Sequence, residues 1–377
     1  MTLPQKYDAI VIGAGIQGCS TALNLALRKF HVLLLDKNLA GRGASGVNAG
    51  GVRRLFRAPE EVPLSMESME MWCGLEKQVG SDCGFKATGQ VKIAENESDM
   101  RKLEERAARM TSLGYSHEEL IDAAELRRMV PLAARHCVGA LVSRGDGYAE
   151  PYLTTRAILS AALKKGVELR ELTPVTALEQ SGSIWRVRCT DNLFEAPVVV
   201  NCAGAWGDRI AKMVGDQVPL KPEAPTMMVT ARVPLFLDPV VGLTGRKLSF
   251  KQMPNGTLVI GGGHRSRLDM RSERTVIDFE ELKVSAQTVT SLFPALKNVP
   301  VVRCWAGIEG MIPDQLPVIS PSLKASGIFH AFGFSAHGFQ LGPVVGRIMA
   351  DLVQFGRSSL PLEPFRIDRF KASNNLV

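Results

Sequence analysis

The chain has no C-x-x-C pair and no apolar run of the roughly 20 residues that a bilayer span requires. Its seven cysteines, at 19, 73, 83, 137, 189, 202 and 304, are scattered and odd in number. That argues against a disulfide framework, a zinc site or a self-contained iron–sulfur centre, so no metal is expected. Tyrosine and tryptophan are scarce, four of each, and no basic block is interleaved with aromatics. The net charge of +7 therefore suits anionic small molecules or a partner subunit better than nucleic acid. A basic segment followed by an apolar h-region is missing from the N-terminus, and the first strand is expected at about Tyr7. No room is left for a signal peptide, and the expected location is cytoplasmic. Internal repeats and low-complexity segments are not found.

What is present is the composition of an ordinary globular protein. The 377 residues are 45% apolar and 22% charged, enough for one large domain or two with a sizeable core.

The stretch "YDAIVIGAGIQGCSTALNLALRKFHVLLLDK" opens on a continuous apolar run at 9–12, a buried strand bounded by glycine. A helical pattern follows over 19–28, and a second buried strand over 31–36. Gly13-x-Gly15-x-x-Gly18 lies between strand and helix, and Asp36 ends the second strand. In that context the glycines point to a dinucleotide. Gly13 permits the tight turn, Gly15 lets a pyrophosphate lie against backbone N–H groups, and Gly18 lets helix and strand pack closely. Ala14, Ile16 and Gln17 complete the turn and the helix start, whose positive end favours phosphate. Asp36, followed by Lys37, is expected to receive the adenosine ribose. The next segment, "NLAGRGASGVNAGGVRRLF", is glycine-rich and suits a cofactor that extends beyond its pyrophosphate.

Further on, a polar surface helix is expected at 97–113 and an amphipathic one at 152–165. Strands are expected at 167–171, 175–179, 185–190 and 197–201. From 219 to about 300 short strands alternate with prolines, and Asn255-Gly256 signals a hairpin. The tail returns to a strand at 328–331, a glycine turn, and a helix from about 342 to 355. The expected class is α/β (α+β overall): a Rossmann-like dinucleotide-binding domain interleaved with a mostly antiparallel β-sheet domain, which the resemblance described next makes the FAD-binding and substrate domains. The first comprises 1–85, 146–217 and 326–377, the second 86–145 and 218–325.

With "GASGVNAGG", "VVVNCAGAWGDRI" and "GFSAHGFQLGP" added to the N-terminal turn, nearly the whole chain resembles the D-amino-acid-oxidase-like FAD-dependent amine oxidoreductases, which include glycine and sarcosine oxidases. The resemblance implies non-covalent FAD. It places Gly43, Ala44 and Ser45 at the pyrophosphate and ribityl chain, and Asn48, Gly50 and Gly51 near the ring. Val175 would offer backbone contacts to adenine, and Cys202, Ala203, Gly204 and Trp206 a second small-residue contact. The segment from Gly333 through His337, Gly338, Phe339 and Gln340 would run past the pyrimidine end of the flavin.

Three departures narrow the resemblance. The position at which monomeric sarcosine oxidases tether FAD through cysteine falls at Gly307, with Cys304 out of register. The lysine that those oxidases place above the flavin for oxygen falls at Val259, which implies a dehydrogenase. "GGVRRLFR" puts Arg53, Arg54 and Arg57 after the ring-proximal glycines; Arg53 is taken as the bidentate ligand of a substrate carboxylate. Gln340 stands where a second carboxylate-binding lysine would be. His337 is a candidate to help deprotonate the substrate, and His264 a weaker candidate for the wall of the site.

These departures resemble the β subunits of hetero-oligomeric sarcosine oxidase, D-hydroxyproline dehydrogenase and bacterial opine (octopine or nopaline) oxidases. They imply a larger partner subunit carrying further redox centres, and an FMN at the interface. Pro151 occupies the place of the histidine that some β subunits link to FMN, so FMN would bind non-covalently. The implied reaction is hydride transfer to FAD from an amino acid or N-substituted amino acid. Two alternatives are a stand-alone oxidase making hydrogen peroxide and an electron-relay subunit without a substrate.

Overall fold

The computed structural model describes residues 5–370. Its first sheet has six strands, in the order Val318–Pro321, Ile328–Phe332, Val198–Asn201, Ala9–Ile12, Val32–Leu35 and Glu168–Arg170. All pair in parallel except the first. Alternation along the strand sends its side chains to two different cores. Ala9 and Val11 pack under the helices, whereas Ile10 and Ile12 pack with Trp185, Val187 and Phe194 of a four-stranded sheet. Both faces are therefore covered, which is why these strands read as unbroken apolar runs.

The helices Ile16–Leu27 and Gly338–Phe355 cross in close contact because glycine stands at their interface. A Cβ at Gly346 would lie 2.4 Å from Ser20, and one at Gly342 2.7 Å from Ile16. The last helix begins four residues earlier than its sequence pattern suggests, at Gly338 rather than near Gly342. Pro343 stands inside the helix, at a place where proline more often marks a first turn. The helix Val62–Val79, with Pro63 in its first turn, has no counterpart in the sequence reading.

A second, eleven-stranded sheet joins both remaining chain segments. Its path places Val240–Leu243 parallel to Gln90–Ala94, and through it reaches Gly139–Ser143 and Glu119–Asp122. The Asn255-Gly256 hairpin forms between Ser249–Gln252 and Leu258–Gly261, with Gly256 at φ +88°. The long strand Lys221–Thr230 changes partners midway. Arg265–Asp269 and Glu309–Met311 flank its first half; Leu258–Gly261 and Val301–Ala306 flank its second. Pro225 sits at the change, where its missing N–H interrupts the ladder. Among the described residues no helix is long and apolar enough to cross a membrane.

Candidate active site

Three helix N-termini meet at one cavity of about 450 Å³. The helices are Ile16–Leu27, the short Ala44–Val47 and Gly338–Phe355, preceded by Gly15, Gly43 and His337. None carries a capping side chain or an acid in its first turn. Ile16, Gln17, Ala44, Ser45, Gly338 and Phe339 all line the cavity. Backbone N–H groups and helix dipoles thus face a common space and have no acid of their own first turns to cap them, an arrangement fitted to phosphate and to a reduced flavin.

The turn before the first helix is packed to contact. A Cβ at Gly13, whose φ is +104°, would lie 2.4 Å from the Cys202 carbonyl oxygen. One at Gly15 would meet Ser45 Oγ at 2.8 Å, and one at Gly18 would lie 1.7 Å from the Gly13 oxygen. The Ile16 N–H donates to Ser45 Oγ at 2.9 Å, tying the two glycine-rich segments together. Asp36 is engaged locally. It accepts from Ala14 N–H at 2.6 Å and Asn38 N–H at 2.8 Å, leaving its remaining lone pairs for a ribose.

Asn48, Gly50, Gly51, Cys202, Gly204, Gly307 and Gly333 also border the cavity. Asn48 braces its loop by accepting from Gly50 N–H at 2.7 Å. Gly13, Ala14, Gly15, Gly18, Asp36, Lys37, Gly43, Val175, Ala203 and Trp206 lie outside the lining. Val175 and Ala203 pack against the four-stranded-sheet core. Lys37 lies 3.5 Å over the Trp206 ring and pairs with Glu273.

The three arginines separate. Arg54 turns away to Asp146 at 2.9 Å, whereas Arg53 and Arg57 both line the cavity. Arg53 donates to the Leu55 carbonyl at 2.6 Å. Arg57 donates to the Arg53 carbonyl and to Gln340 Oε1, and its Nη1 is buried without a hydrogen bond. Behind them lies Glu61, 0% exposed, with Arg57 at 3.9 Å and His337 Nδ1 at 2.7 Å. Burial opposes the Glu61 charge, but His337 and the two arginines outweigh it and hold the carboxyl below the usual carboxylate range. Burial, reinforced by Arg57, pushes His337 down to about 4, so a neutral imidazole sits against an ionised Glu61.

That assignment has an acid-side consequence. A histidine held neutral in the fold binds its proton mainly on unfolding. Its contribution to stability is complete above the ordinary 6.5 and is lost as pH falls towards about 4. Melting curves of His337→Asn across that window are expected to show a shallower loss than the parent.

Three expected catalytic residues do not line the cavity, and His337, turned to Glu61, is the first of them. Gln340 is fully buried beneath Arg57 and Ser65, and does not line the cavity. Its side chain accepts from Arg57 and Ser65 and donates to the Ser65 carbonyl, while Ser68 and Trp72 donate to its backbone carbonyl. His264 faces Glu281 at 2.9 Å, in the helix Phe279–Leu292, and is not part of the wall.

The cavity also contains charges that motif reading passed over: Lys92, Glu223, Arg265 and Glu309. Lys92 lies on Gln90–Ala94 with its ammonium 4.6 Å from the Phe56 ring centre, and burial pushes it down to about 8. The signal available was a charged residue inside an apolar strand, which alternation alone does not direct to one face or the other.

A second cavity of about 370 Å³ adjoins residues 46–49 and is lined by Pro151, Lys251, Val259, Arg303 and Trp305. Val259 is apolar as read, but its cross-strand partner is Lys251. Lys251 is 5% exposed, burial pushes it down to about 8, and its Nζ would stand 3.2 Å from a Cβ on Gly50. A cation is therefore present on the neighbouring strand. Cys304 lines neither cavity and packs against the core of the large sheet.

The chain is similar to known proteins over nearly its whole length. Glycine oxidase from Geobacillus kaustophilus is 28% identical over 97% of this chain and 98% of its own. The sarcosine oxidase β subunit of Rhizobium meliloti is 26% identical over 97% and 88%. Among solved structures, L-proline dehydrogenase from P. horikoshii superposes with a TM-score of 0.91 at 26% identity, covering 98% of this chain and 99% of that one. The family model described as FAD dependent oxidoreductase matches residues 8–352, and the chain belongs to that family.

Proposed function

We propose that this protein oxidises a C–N bond of an amino acid or N-substituted amino acid, and that it works as the catalytic β subunit of a hetero-oligomeric dehydrogenase. The observation that carries the reading is the meeting of three uncapped helix N-termini with Arg53 and Arg57 in a single cavity. FAD, when bound, supplies the two-electron acceptor for the substrate's Cα hydride.

The rest falls to the chain's own residues. The Gly13–Gly18 turn with Ala44 and Ser45 would hold the diphosphate, and residues 48–51 and 333–339 would border the ring. Arg53 would grip the substrate carboxylate, with Arg57 oriented behind it by Gln340 and Glu61. Gly307 lines the cavity without a side chain and Cys304 packs elsewhere, which supports non-covalent binding.

The partner and a second flavin are supported by the second cavity. Two cations, Lys251 and Arg303, share it with the Trp305 ring, a setting suited to an anionic aromatic molecule such as FMN. Next to its lining residues in sequence are Tyr152, Leu153, Val301 and Val302, all exposed at 40% or more. Apolar residues in that position suit a subunit interface. A second reading, a stand-alone oxidase releasing peroxide, is favoured by Lys251. A buried cation beside the ring-proximal loop can stabilise charge developing on oxygen.

Anaerobic addition of N-alkyl and free amino acids tests the reading: bleaching of the flavin absorbance is expected with at least one of them. No bleaching by any member would overturn it. Peroxide release by the chain purified alone would favour the oxidase. Within the active panel, Arg53→Met is expected to weaken an acid but not its amide, by about 2–5 kcal/mol of binding. Equal behaviour of acid and amide would remove Arg53 from the role.

A further inference from the structure

The main cavity holds two carboxylates with different partners. Glu223 and Glu309 stand directly opposite each other on paired strands. Glu223 is matched by Arg265, whose Nε lies 2.7 Å from its Oε2. Glu309 has no such cation; among the described residues its carboxylate takes one hydrogen bond, from Ala336 N–H at 2.8 Å. That donor is aimed by a pair of left-handed residues, Ser335 at φ 48° and Ala336 at φ 70°. Ser335 is fixed in turn by accepting from Ile312 N–H at 3.0 Å. Glu309 is thereby positioned in the lining of the cavity that also takes in Arg53 and Arg57. Burial, with Glu223 opposite, pushes its carboxyl up to about 7, the behaviour of an acid that lacks a counter-cation.

We propose that Glu309 receives the amine of the substrate, its carboxylate pairing with the substrate's ammonium while arginine holds the substrate's carboxylate. The assignment rests on the amino-acid reading of the site given above. Arginine alone would admit any carboxylate. An acid across the same cavity makes the pocket select molecules that carry both charges, and it removes the cost of leaving an ammonium unpaired in a dry space.

The test uses pairs that differ only by an amine in place of an ether: sarcosine and methoxyacetate, L-proline and tetrahydro-2-furoate, iminodiacetate and diglycolate. Binding is measured by anaerobic calorimetry on dithionite-reduced holoenzyme, where no turnover occurs. For Glu309→Gln that retains its flavin spectrum, the amine members are expected to weaken by about 10- to 100-fold, with the ethers unchanged. If the glutamine variant loses flavin, Glu309→Asp, which keeps the charge on a shorter arm, must weaken amines more than ethers. Equal losses for amine and ether, or undiminished amine binding, would overturn the assignment. Wild-type protein that binds no member of any pair would instead overturn the amino-acid reading itself, and this assignment with it.

Discussion

Glu61→Gln is expected to lower the thermal midpoint more than any other conservative change around the cavity. Glu61 and Arg57 are 0% and 2% exposed, and Glu61 is the acid that lies within ion-pair distance of both Arg57 and His337. The other nearby buried acid, Asp146, is already committed to Arg54 and to the N–H groups of Arg54 and Leu55. Glutamine keeps the shape but removes the charge, leaving a guanidinium in a medium that solvates it poorly. Stripping one partner from a buried pair costs about 3–5 kcal/mol, because the survivor's desolvation is no longer compensated. Glu61→Gln combined with Arg57→Met should recover part of that loss, since removing both charges together is much cheaper than removing one. Thermal melts of the two variants decide it. A single variant that melts with the parent would show that the arginines are stabilised from elsewhere.

The second large effect is on cofactor retention. Gly18→Ala is expected to yield colourless protein. Its added methyl would lie 1.7 Å from the Gly13 carbonyl oxygen, far inside contact. Gly13 cannot yield easily: its N–H donates to the Leu35 carbonyl at 2.7 Å, and it already abuts Cys202. The turn must therefore open or the helix must slide, and either displaces the N–H groups proposed to hold the phosphates. Overpacking of this kind costs about 1–3 kcal/mol, occasionally more, and the geometric loss falls on the cofactor turn itself. Gly43→Ala supplies the control. No atom lies within 4 Å of a Cβ there, and Gly43 has φ −76°, so yellow protein is expected. Flavin absorbance per chain after gentle purification distinguishes the outcomes; a fully yellow Gly18→Ala would refute the packing argument.

Much of the molecule is encoded locally. Residues 9–12 form a strand because both sheet faces are covered, and Gly13, Gly15 and Gly18 recur at the spacing a close turn demands. The helix Glu97–Ser112 and the Asn255-Gly256 hairpin follow from patterns a few residues long. Periodicity, turn chemistry and glycine spacing act between near neighbours, so the order of residues is sufficient to reveal them.

The choice among charged residues was made at longer range. Arg53, Arg54 and Arg57 are equivalent in sequence, and the docking of Asp146, from the turn between Gly139–Ser143 and Gly147–Tyr148, removes Arg54 from the cavity. His264 looked like part of the wall until the helix Phe279–Leu292 brought Glu281 against it. Glu309 lies opposite Glu223 through pairing across more than 80 positions, and Lys251 faces the second cavity through its register with Val259. Sequence alone thus settled the backbone turn, the buried strands and the demand for a dinucleotide, because each depends on local geometry. Which charges share the cavity was settled by strand register and helix docking, because the field at a site is set by groups that folding brings together from far apart in the chain.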